Sequence, residues 1–296
     1  MKTRLLILSV ALLLPLSGLR AQTPVVAPDW SAVTKIAPAY FGPNAFPVPE
    51  MTDGRPHAGV YAEVAGDYAR GRLADGQDVT WDAFARLSLP LWTPRATLEV
   101  WMPVYEAWNF SAAVAEQRRL PAEPHRGHDS GDVYVCTSLH LLVGRDNGWR
   151  PDILVRAALK TASGNSYGDA RYYDSPGYFF DLTVGKGFRF DSFVREFRLA
   201  LCAGFLCWQT DNGRQNDAVQ AGILASLDTR WFTLGAELGG YAGWERDGDR
   251  PVRARVRFDF HPWKAPVYPF AQACFGLHDY PFTQFRAGLA WSFRRR

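Results

Sequence analysis

Apolar and polar residues alternate along most of the chain from position 57 onward. In residues 79–91 the odd positions are apolar from Val79 to Leu91, whereas the even positions include Thr80, Asp82 and Arg86. Successive side chains of a β-strand point to opposite faces, so this pattern predicts strands with one apolar and one polar face. No helical period of 3.6 residues competes over a comparable length. The sequence therefore predicts an all-β fold.

Twelve segments carry this alternation. They span residues 57–70, 78–91, 95–108, 131–143, 150–163, 176–189, 194–209, 217–227, 230–245, 251–261, 266–278 and 282–293. Ordinary strands have roughly 5–6 residues, whereas a tilted strand needs about 9–11 residues to cross a bilayer. We predict a single transmembrane antiparallel up-and-down β-barrel of about 12 strands. The alternative is a soluble β-sandwich with the charged face outside, which leaves the strand length unexplained.

The links between these segments predict two different rims. Residues 92–94, 144–149, 190–193, 228–229 and 262–265 form short links, and residues 71–77, 109–130, 164–175 and 210–216 form longer polar ones. We call the two ends of the barrel the turn rim and the loop rim, and we expect them to be periplasmic and extracellular. Both chain termini then lie on the periplasmic side. Two aromatic girdles are expected, with Tyr68, Trp108, Tyr178 and Trp244 near the loop rim and Trp231, Phe260, Trp291 and Phe293 near the turn rim.

The N-terminal region precedes the alternating pattern. Lys2 and Arg4 are followed by an apolar run from Leu5 to Leu16, and Ala21 ends the region. This layout is typical of a cleaved secretory signal peptide, and we assign it to residues 1–21. Residues 22–56 are rich in proline and lack alternation, so we predict a periplasmic extension. Covering the barrel mouth is one placement open to this extension. Residues 57–296 form the predicted barrel.

The last predicted strand ends in a recognisable pattern. In the run Arg286-Ala-Gly-Leu-Ala-Trp-Ser-Phe293, a polar residue and Gly288 precede Trp291 and Phe293. This run resembles the C-terminal assembly signal of Gram-negative outer-membrane β-barrels, although three arginines follow it. The resemblance implies insertion by the barrel-assembly machinery and a location in the cell outer membrane. The exit Leu19-Arg20-Ala21-Gln22 and the short-turn layout also look similar to those of Bacteroidota-type barrels.

Composition and cysteine content refine this prediction. The 33 basic residues nearly balance the 30 acidic ones, so the sequence gives no reason to expect nucleic acid as a partner. Cys202 and Cys207 are five residues apart on one predicted strand and point to opposite faces, so they should not pair. We read all four cysteines as small buried residues.

The polar face should line the lumen. The predicted lining residues are Arg86, Glu99, Arg156, Lys160, Asp181, Glu237, Arg253, Arg255, Arg257 and Arg286. We expect Arg86 to face Glu99, and Arg257 to face Glu237, as diagonal cross-strand pairs. Such groups either pair across a narrow, partly filled lumen or form a selectivity lining, in which the ladder from Arg253 to Arg257 favours small anions.

Three further features are weaker candidates, for a metal site, for a loop inside the lumen and for a catalytic group. The loop from His125 to Asp132 has a His-x-x-His spacing, but without a third fixed ligand a solvated loop is the preferred interpretation and no metal is expected. The loop 164–177 either is exposed or folds back into the lumen. Ser138 and His140 share the inward face of one strand, and His278 with Asp279 lies near the loop rim, but no nucleophile, base and orienting group can be assembled from them.

We therefore assign no catalytic residue and no cofactor. The preferred function is a narrow passive channel for small polar or anionic solutes. One alternative is a plugged structural or surface-binding barrel, and a second is an outer-membrane lipid-modifying hydrolase. The expected partners are outer-membrane lipid, the barrel-assembly machinery and a small polar solute.

Overall fold

The described part of the chain contains thirteen β-strands and one short helix. The computed structural model describes residues 41–57, 59–72, 76–145, 147–164, 169–172, 176–211, 214–244, 246, 248–261 and 265–294. The elements are β1 (Gly59–Gly71), β2 (Asp78–Pro90), β3 (Ala96–Phe110), α1 (Ala112–Gln117), β4 (His125–Asp129), β5 (Tyr134–Leu142), β6 (Asp152–Lys160), β7 (Gly177–Arg189), β8 (Val194–Asp211), β9 (Arg214–Thr229), β10 (Phe232–Gly243), β11 (Val252–Phe260), β12 (Val267–His278) and β13 (Phe282–Arg294).

Twelve of the strands form a closed antiparallel barrel. Each strand pairs with its neighbour in the chain, except that β3 pairs with β5 beyond the inserted β4. Pairing of β1 with β13, from Gly59 opposite Arg294 to Gly71 opposite Phe282, closes the ring. The predicted barrel fold and all twelve predicted segments are thereby confirmed. The sequence pattern missed β4, which pairs with the loop-rim half of β3.

A β-bulge in β3 changes which residues face the lumen. Tyr105 lies opposite Ala83 and Pro103 lies opposite Phe84, so Val104 between them has no partner on β2. A bulge inserts one extra residue and reverses the alternation beyond it. Alternation within the predicted segment 95–108 puts Tyr105 on the same polar, inward face as Glu99. In the structure Tyr105 is instead 48% exposed on the outer wall, and Trp108, predicted for the outer girdle, is buried inside.

Apolar side chains cover the outer wall of the barrel. Exposed members on successive strands are Val64, Leu87, Leu141, Leu159, Leu182, Leu201, Leu238, Val256, Leu277 and Leu289. The turns of the turn rim add exposed aromatic rings at Trp92, Trp149, Phe190, Phe193 and Trp231. An apolar band with an aromatic belt at its edge is typical of a surface that faces lipid. Within the described ranges, no helix has the length and apolar character needed to cross a membrane.

The four cysteines are buried and unpaired, as predicted. They lie on three strands: Cys136 on β5, Cys202 and Cys207 on β8, and Cys274 on β12.

Candidate functional site

The described part of the N-terminal segment, residues 41–57, lies inside the barrel, and we call it the plug. At its start, Phe41 and Phe46 pack in an apolar cluster with Trp108 of β3 and with α1, at the loop rim. At its end, Nη2 of Arg55 lies 2.7 Å from Oε1 of Glu196, near the turn rim. The chain then enters β1. The plug therefore runs through the lumen from the loop rim to the turn rim.

This finding corrects the predicted periplasmic extension over residues 41–56. The plug touches the barrel wall on several sides, so no single apolar face is required and its sequence shows no alternation. The predictions for residues 1–21 and 22–40 concern residues outside the described ranges and stay predictions.

Glu50, midway along the plug, points its carboxylate into a group of arginines. Its Oε1 lies 2.5 Å from Nη1 of Arg255 on β11 and 3.8 Å from Nη1 of Arg286 on β13. Its Oε2 lies 2.7 Å from Nη2 of Arg86 on β2. The backbone carbonyl of Glu50 also accepts a hydrogen bond from Nη2 of Arg156, at 2.7 Å. We call Arg86, Arg255 and Arg286 the arginine cluster; it surrounds an anionic group supplied by the protein itself.

The two ion pairs predicted along the lumen have different outcomes. Nε of Arg86 lies 3.7 Å from Oε1 of Glu99, so that pair is present at long range. The predicted pair of Arg257 with Glu237 is wrong. Glu237 is directly opposite Arg255 in the β10–β11 register and bonds to that guanidinium instead.

Arg257 reaches across the lumen to β1. Its Nη1 lies 3.0 Å from Oε2 of Glu63, and its Nη2 lies 3.0 Å from Oδ1 of Asp259. The hydroxyl of Tyr61 donates to the same Glu63 carboxylate at 2.6 Å. Because β1 and β11 are not neighbours in the barrel, this contact forms only when the sheet closes. A pair of this kind cannot be deduced from hairpin geometry.

A second ionic group lies toward the turn rim. Arg156 forms a bidentate pair with Asp181, at 2.6 and 3.0 Å. Nη2 of Arg198 lies 2.6 Å from Oδ2 of Asp152, whose Oδ1 lies 2.9 Å from Nε2 of His140. Burial of such charges is costly unless they are paired and hydrogen-bonded. Both arginines meet this condition here.

All the predicted lining residues have side chains that point into the lumen. The set comprises Arg86, Glu99, Arg156, Lys160, Asp181, Glu237, Arg253, Arg255, Arg257 and Arg286. A cavity beside the plug, bordered by Met51, Arg156 and Asp181, has a volume of about 10 Å³, room for about one water molecule. The lumen is densely filled at this level, and the role of these residues as a channel lining stays a prediction.

In the loop-rim half of the lumen, a buried carboxylate lies beside the apolar cluster. Glu106 of β3 is fully buried. It accepts hydrogen bonds from Nε of Arg171 at 2.8 Å and from the hydroxyl of Tyr172 at 2.8 Å. Nδ2 of Asn44 in the plug donates to the same carboxylate at 2.7 Å and to Asp82 at 2.8 Å. Arg171 and Tyr172 therefore lie inside the lumen, and for these described residues of the loop 164–177 the placement in the lumen is the one found.

Sequence reasoning missed Glu106 because the bulge at Val104 reversed the faces of β3. The available signal was Pro103, since proline within a sheet marks an edge or a bulge.

The helix α1 packs over the plug at the loop rim. Val114 and Ala115 of α1 are fully buried. Just after the helix, Nη2 of Arg118 donates to Oδ2 of Asp78 at 2.8 Å, and its guanidinium lies 4.6 Å from the Phe110 ring. Burial lowers the pKa of Arg118 to about 10, although the Asp78 carboxylate opposes the shift.

The weaker candidates occupy separate places. His125 stacks on Phe110 at 5.1 Å and bonds to Asp169, whereas His128 stacks on Tyr105 at 5.6 Å on the outer wall. Among the described residues, no three histidine, cysteine, aspartate or glutamate side chains are grouped so that they could hold a metal. Nδ1 of His278 lies 3.4 Å from Asp279 and the ring is exposed.

The residues of the assembly signal lie on β13. Gly288 is opposite Ala65 of β1 and Phe270 of β12. Trp291 and Phe293 point outward, and Phe293 is 52% exposed. Their role in assembly stays a prediction.

Two solved structures share this fold. The outer membrane channel from Pseudomonas putida F1 aligns with a TM-score of 0.60 and 13% identity, over 83% of this chain and 100% of its own. The NanC porin aligns with a TM-score of 0.51 and 10% identity, over 78% of this chain and 100% of its own. No protein-family model and no curated protein matches the sequence. Similarity at this level of identity shows the barrel fold.

Proposed function

We propose that the protein is a gated outer-membrane channel for small anionic solutes, and that the plug holds it closed in the state described. The observation that carries the proposal is the Glu50 carboxylate within 2.5 and 2.7 Å of two arginines of the cluster. An internal carboxylate occupies the place where a solute anion would meet the same guanidinium groups. A ring of fixed positive charge favours anions over cations.

The outer-membrane location is supported by the lipid-type outer wall, the aromatic belt and the shared fold with a channel and a porin. The predicted signal peptide at residues 1–21 and the C-terminal pattern of β13 support the proposal of export and assembly in a Gram-negative cell. Outer-membrane lipid and the barrel-assembly machinery are the partners this location requires. A Bacteroidota-type relationship is part of the proposal and rests on residues 19–22 and the turn layout.

The plug is held mainly by side-chain contacts, which makes it a removable element. It lies inside the ring of strands, where Nη2 of Arg156 and Nε of Arg198 each donate to one of its carbonyl groups. When the plug leaves, water or a solute anion can accept these hydrogen bonds from the two arginines in place of the plug carbonyls. Release of the plug would leave the closed sheet of β1–β3 and β5–β13 intact.

A disulfide lock tests the channel. The hydroxyl oxygens of Thr52 in the plug and Thr183 on β7 are 3.4 Å apart, so cysteines at the two positions are close enough to form a disulfide. We expect the Thr52→Cys, Thr183→Cys variant to show current steps in planar bilayers under reducing conditions and none after oxidation. Both proteins carry Cys202→Ala, because Cys202 lies opposite Thr183 in the β7–β8 register and its free thiol would compete for the new cysteines. In this background the Thr52→Cys single variant is the matched control and should be insensitive to oxidation.

The second candidate is a permanently sealed barrel that has a structural or surface-binding role. It is favoured by the fully buried group of Glu106, Arg171 and Tyr172, which closes the loop-rim half. Absence of current steps in the reduced double-cysteine protein and in plug variants such as Glu50→Gln would overturn the channel and leave this candidate. The lipid-hydrolase alternative has less support, since His140 is bonded to Asp152 inside the lumen, away from lipid.

A further inference from the structure

A groove lies on the outer wall of the barrel near the loop rim. Its volume is about 560 Å³, and its lining comes from the outward faces of β2, β3 and β4. The groove exists because β4 pairs with the loop-rim half of β3 and adds a wall that the twelve-strand ring alone would lack.

The strand register defines the floor and walls of the groove. Ala107 of β3 is opposite Trp81 of β2 on one side and His128 of β4 on the other. The small alanine is thus the floor between two large rings. Tyr105, two residues deeper in the wall, closes the lower end and stacks on His128 with a centroid distance of 5.6 Å. Trp81 is 58% exposed, so the groove is open toward the surroundings of the barrel.

The upper end of the groove is polar and cationic. Asn109 lies opposite Arg126 in the β3–β4 register, one residue from the end of β3. Arg126 is exposed, and no hydrogen bond or ion pair of its guanidinium is present within the described part of the chain. This differs from the lumen, where the arginines discussed above are paired. An uncompensated cation beside an amide donor suits a phosphate oxygen.

The register of β4 is fixed by a close packing contact. A Cβ atom at Gly127 would lie 2.5 Å from Cζ2 of Trp108, so the indole ring packs directly over the glycine. Nε1 of Trp108 donates to Asp169 at 3.1 Å. These contacts hold Arg126 and His128, on either side of Gly127, on the outward face.

We propose that this groove binds one lipid with an anionic phosphate headgroup. Arg126 and Asn109 bind the phosphate at the loop rim, and the first part of an acyl chain lies on Ala107 between Trp81 and His128. The depth order supports this occupant, because the polar end of the groove is at the rim and its aromatic end is about 7–14 Å further into the apolar wall. The inference rests on the proposed membrane location but not on conduction.

Lipid retention measured by native mass spectrometry tests the site. The whole protein, purified in a mild detergent, is titrated with phosphatidylglycerol or with phosphatidylcholine of the same acyl chains. We expect one phosphatidylglycerol to be retained in preference to phosphatidylcholine. Arg126→Gln should weaken phosphatidylglycerol binding about tenfold, since a charge-assisted hydrogen bond is lost. Ala107→Trp should fill the floor and abolish retention of both lipids.

The matched control is Arg250→Gln, which removes an exposed arginine elsewhere on the loop rim and should leave retention unchanged. Heat-modifiable migration in gels confirms that each variant is a folded barrel. Equal retention of the two lipids by the wild type, or unchanged retention in both Arg126→Gln and Ala107→Trp, would overturn the proposal. Failure of the protein to enter membranes would instead refute the proposed location.

Discussion

Replacement of Glu50 by glutamine tests the contact on which the closed state depends. The change keeps the size of the side chain and removes only its charge. Loss of one partner from a buried ion pair costs roughly 3–5 kcal/mol. The Glu50 side chain is 26% exposed, and each of its three arginines keeps another carboxylate. Arg255 keeps Glu237, Arg286 keeps Asp67 at 2.6 Å, and Arg86 keeps the longer contact with Glu99 at 3.7 Å. We therefore expect the closed state to lose about 2 kcal/mol relative to the open state.

That loss corresponds to about a 30-fold increase in the ratio of open to closed channels, since 1.4 kcal/mol is a factor of ten. The assay is the open fraction of single channels in planar bilayers at fixed voltage and salt. Glu123→Gln, which neutralises an exposed loop carboxylate, is the control and should behave as the wild type. An open fraction within threefold of the wild type in Glu50→Gln, combined with a functional disulfide lock, would show that Glu50 is not what holds the plug.

Three further variants examine other parts of the lumen. Phe46→Ala removes a buried ring of the plug, which typically costs about 3–5 kcal/mol; the open fraction should rise at least as much as in Glu50→Gln. Glu106→Gln leaves Arg171 buried without its carboxylate and should lower the temperature at which the barrel loses its heat-resistant gel band, whereas an unchanged temperature would contradict the role given to that pair. In channels opened by Glu50→Gln, the added change Arg86→Gln should reduce anion over cation selectivity, measured as a smaller reversal potential in a salt gradient; an unchanged potential would exclude Arg86 from the selectivity lining.

The barrel was predictable because its information is local. Period two identifies strands one at a time, and the antiparallel order follows from short links, so twelve strands could be placed from the sequence. The bulge at Val104 is a single-residue change of register that alternation does not reveal, and it reversed the predicted faces of Tyr105 and Trp108. The alternation pattern did not identify β4, because this five-residue segment has glycine at its centre and no apolar face.

The contacts of the site were less predictable because they join distant parts of the chain. Arg86 and Glu99 face each other across one hairpin, and hairpin geometry suggested their pair. Arg257 meets Glu63 across 194 residues and across the lumen, a contact that depends on how the sheet closes. The plug was the least predictable part of the site. It is a proline-rich segment without alternation, and nothing in such a sequence indicates that it lies inside the barrel lumen.

The geometry of the arginine cluster also links solute binding to plug release. Its three members come from β2, β11 and β13, so closure of the sheet brings them together whether or not Glu50 is present. Departure of Glu50 therefore leaves fixed positive charges in the lumen, and their cost falls when a solute anion takes the place of the carboxylate. A ligand that binds one state better shifts the equilibrium toward that state. Multivalent anions such as phosphate should then raise the open-to-closed ratio of the wild type at constant ionic strength. In Glu50→Gln the anion should raise this ratio by a similar factor, because residue 50 is absent from the cluster in the open state that binds the anion. An unchanged ratio in the wild type would separate anion binding from gating and refute the coupling.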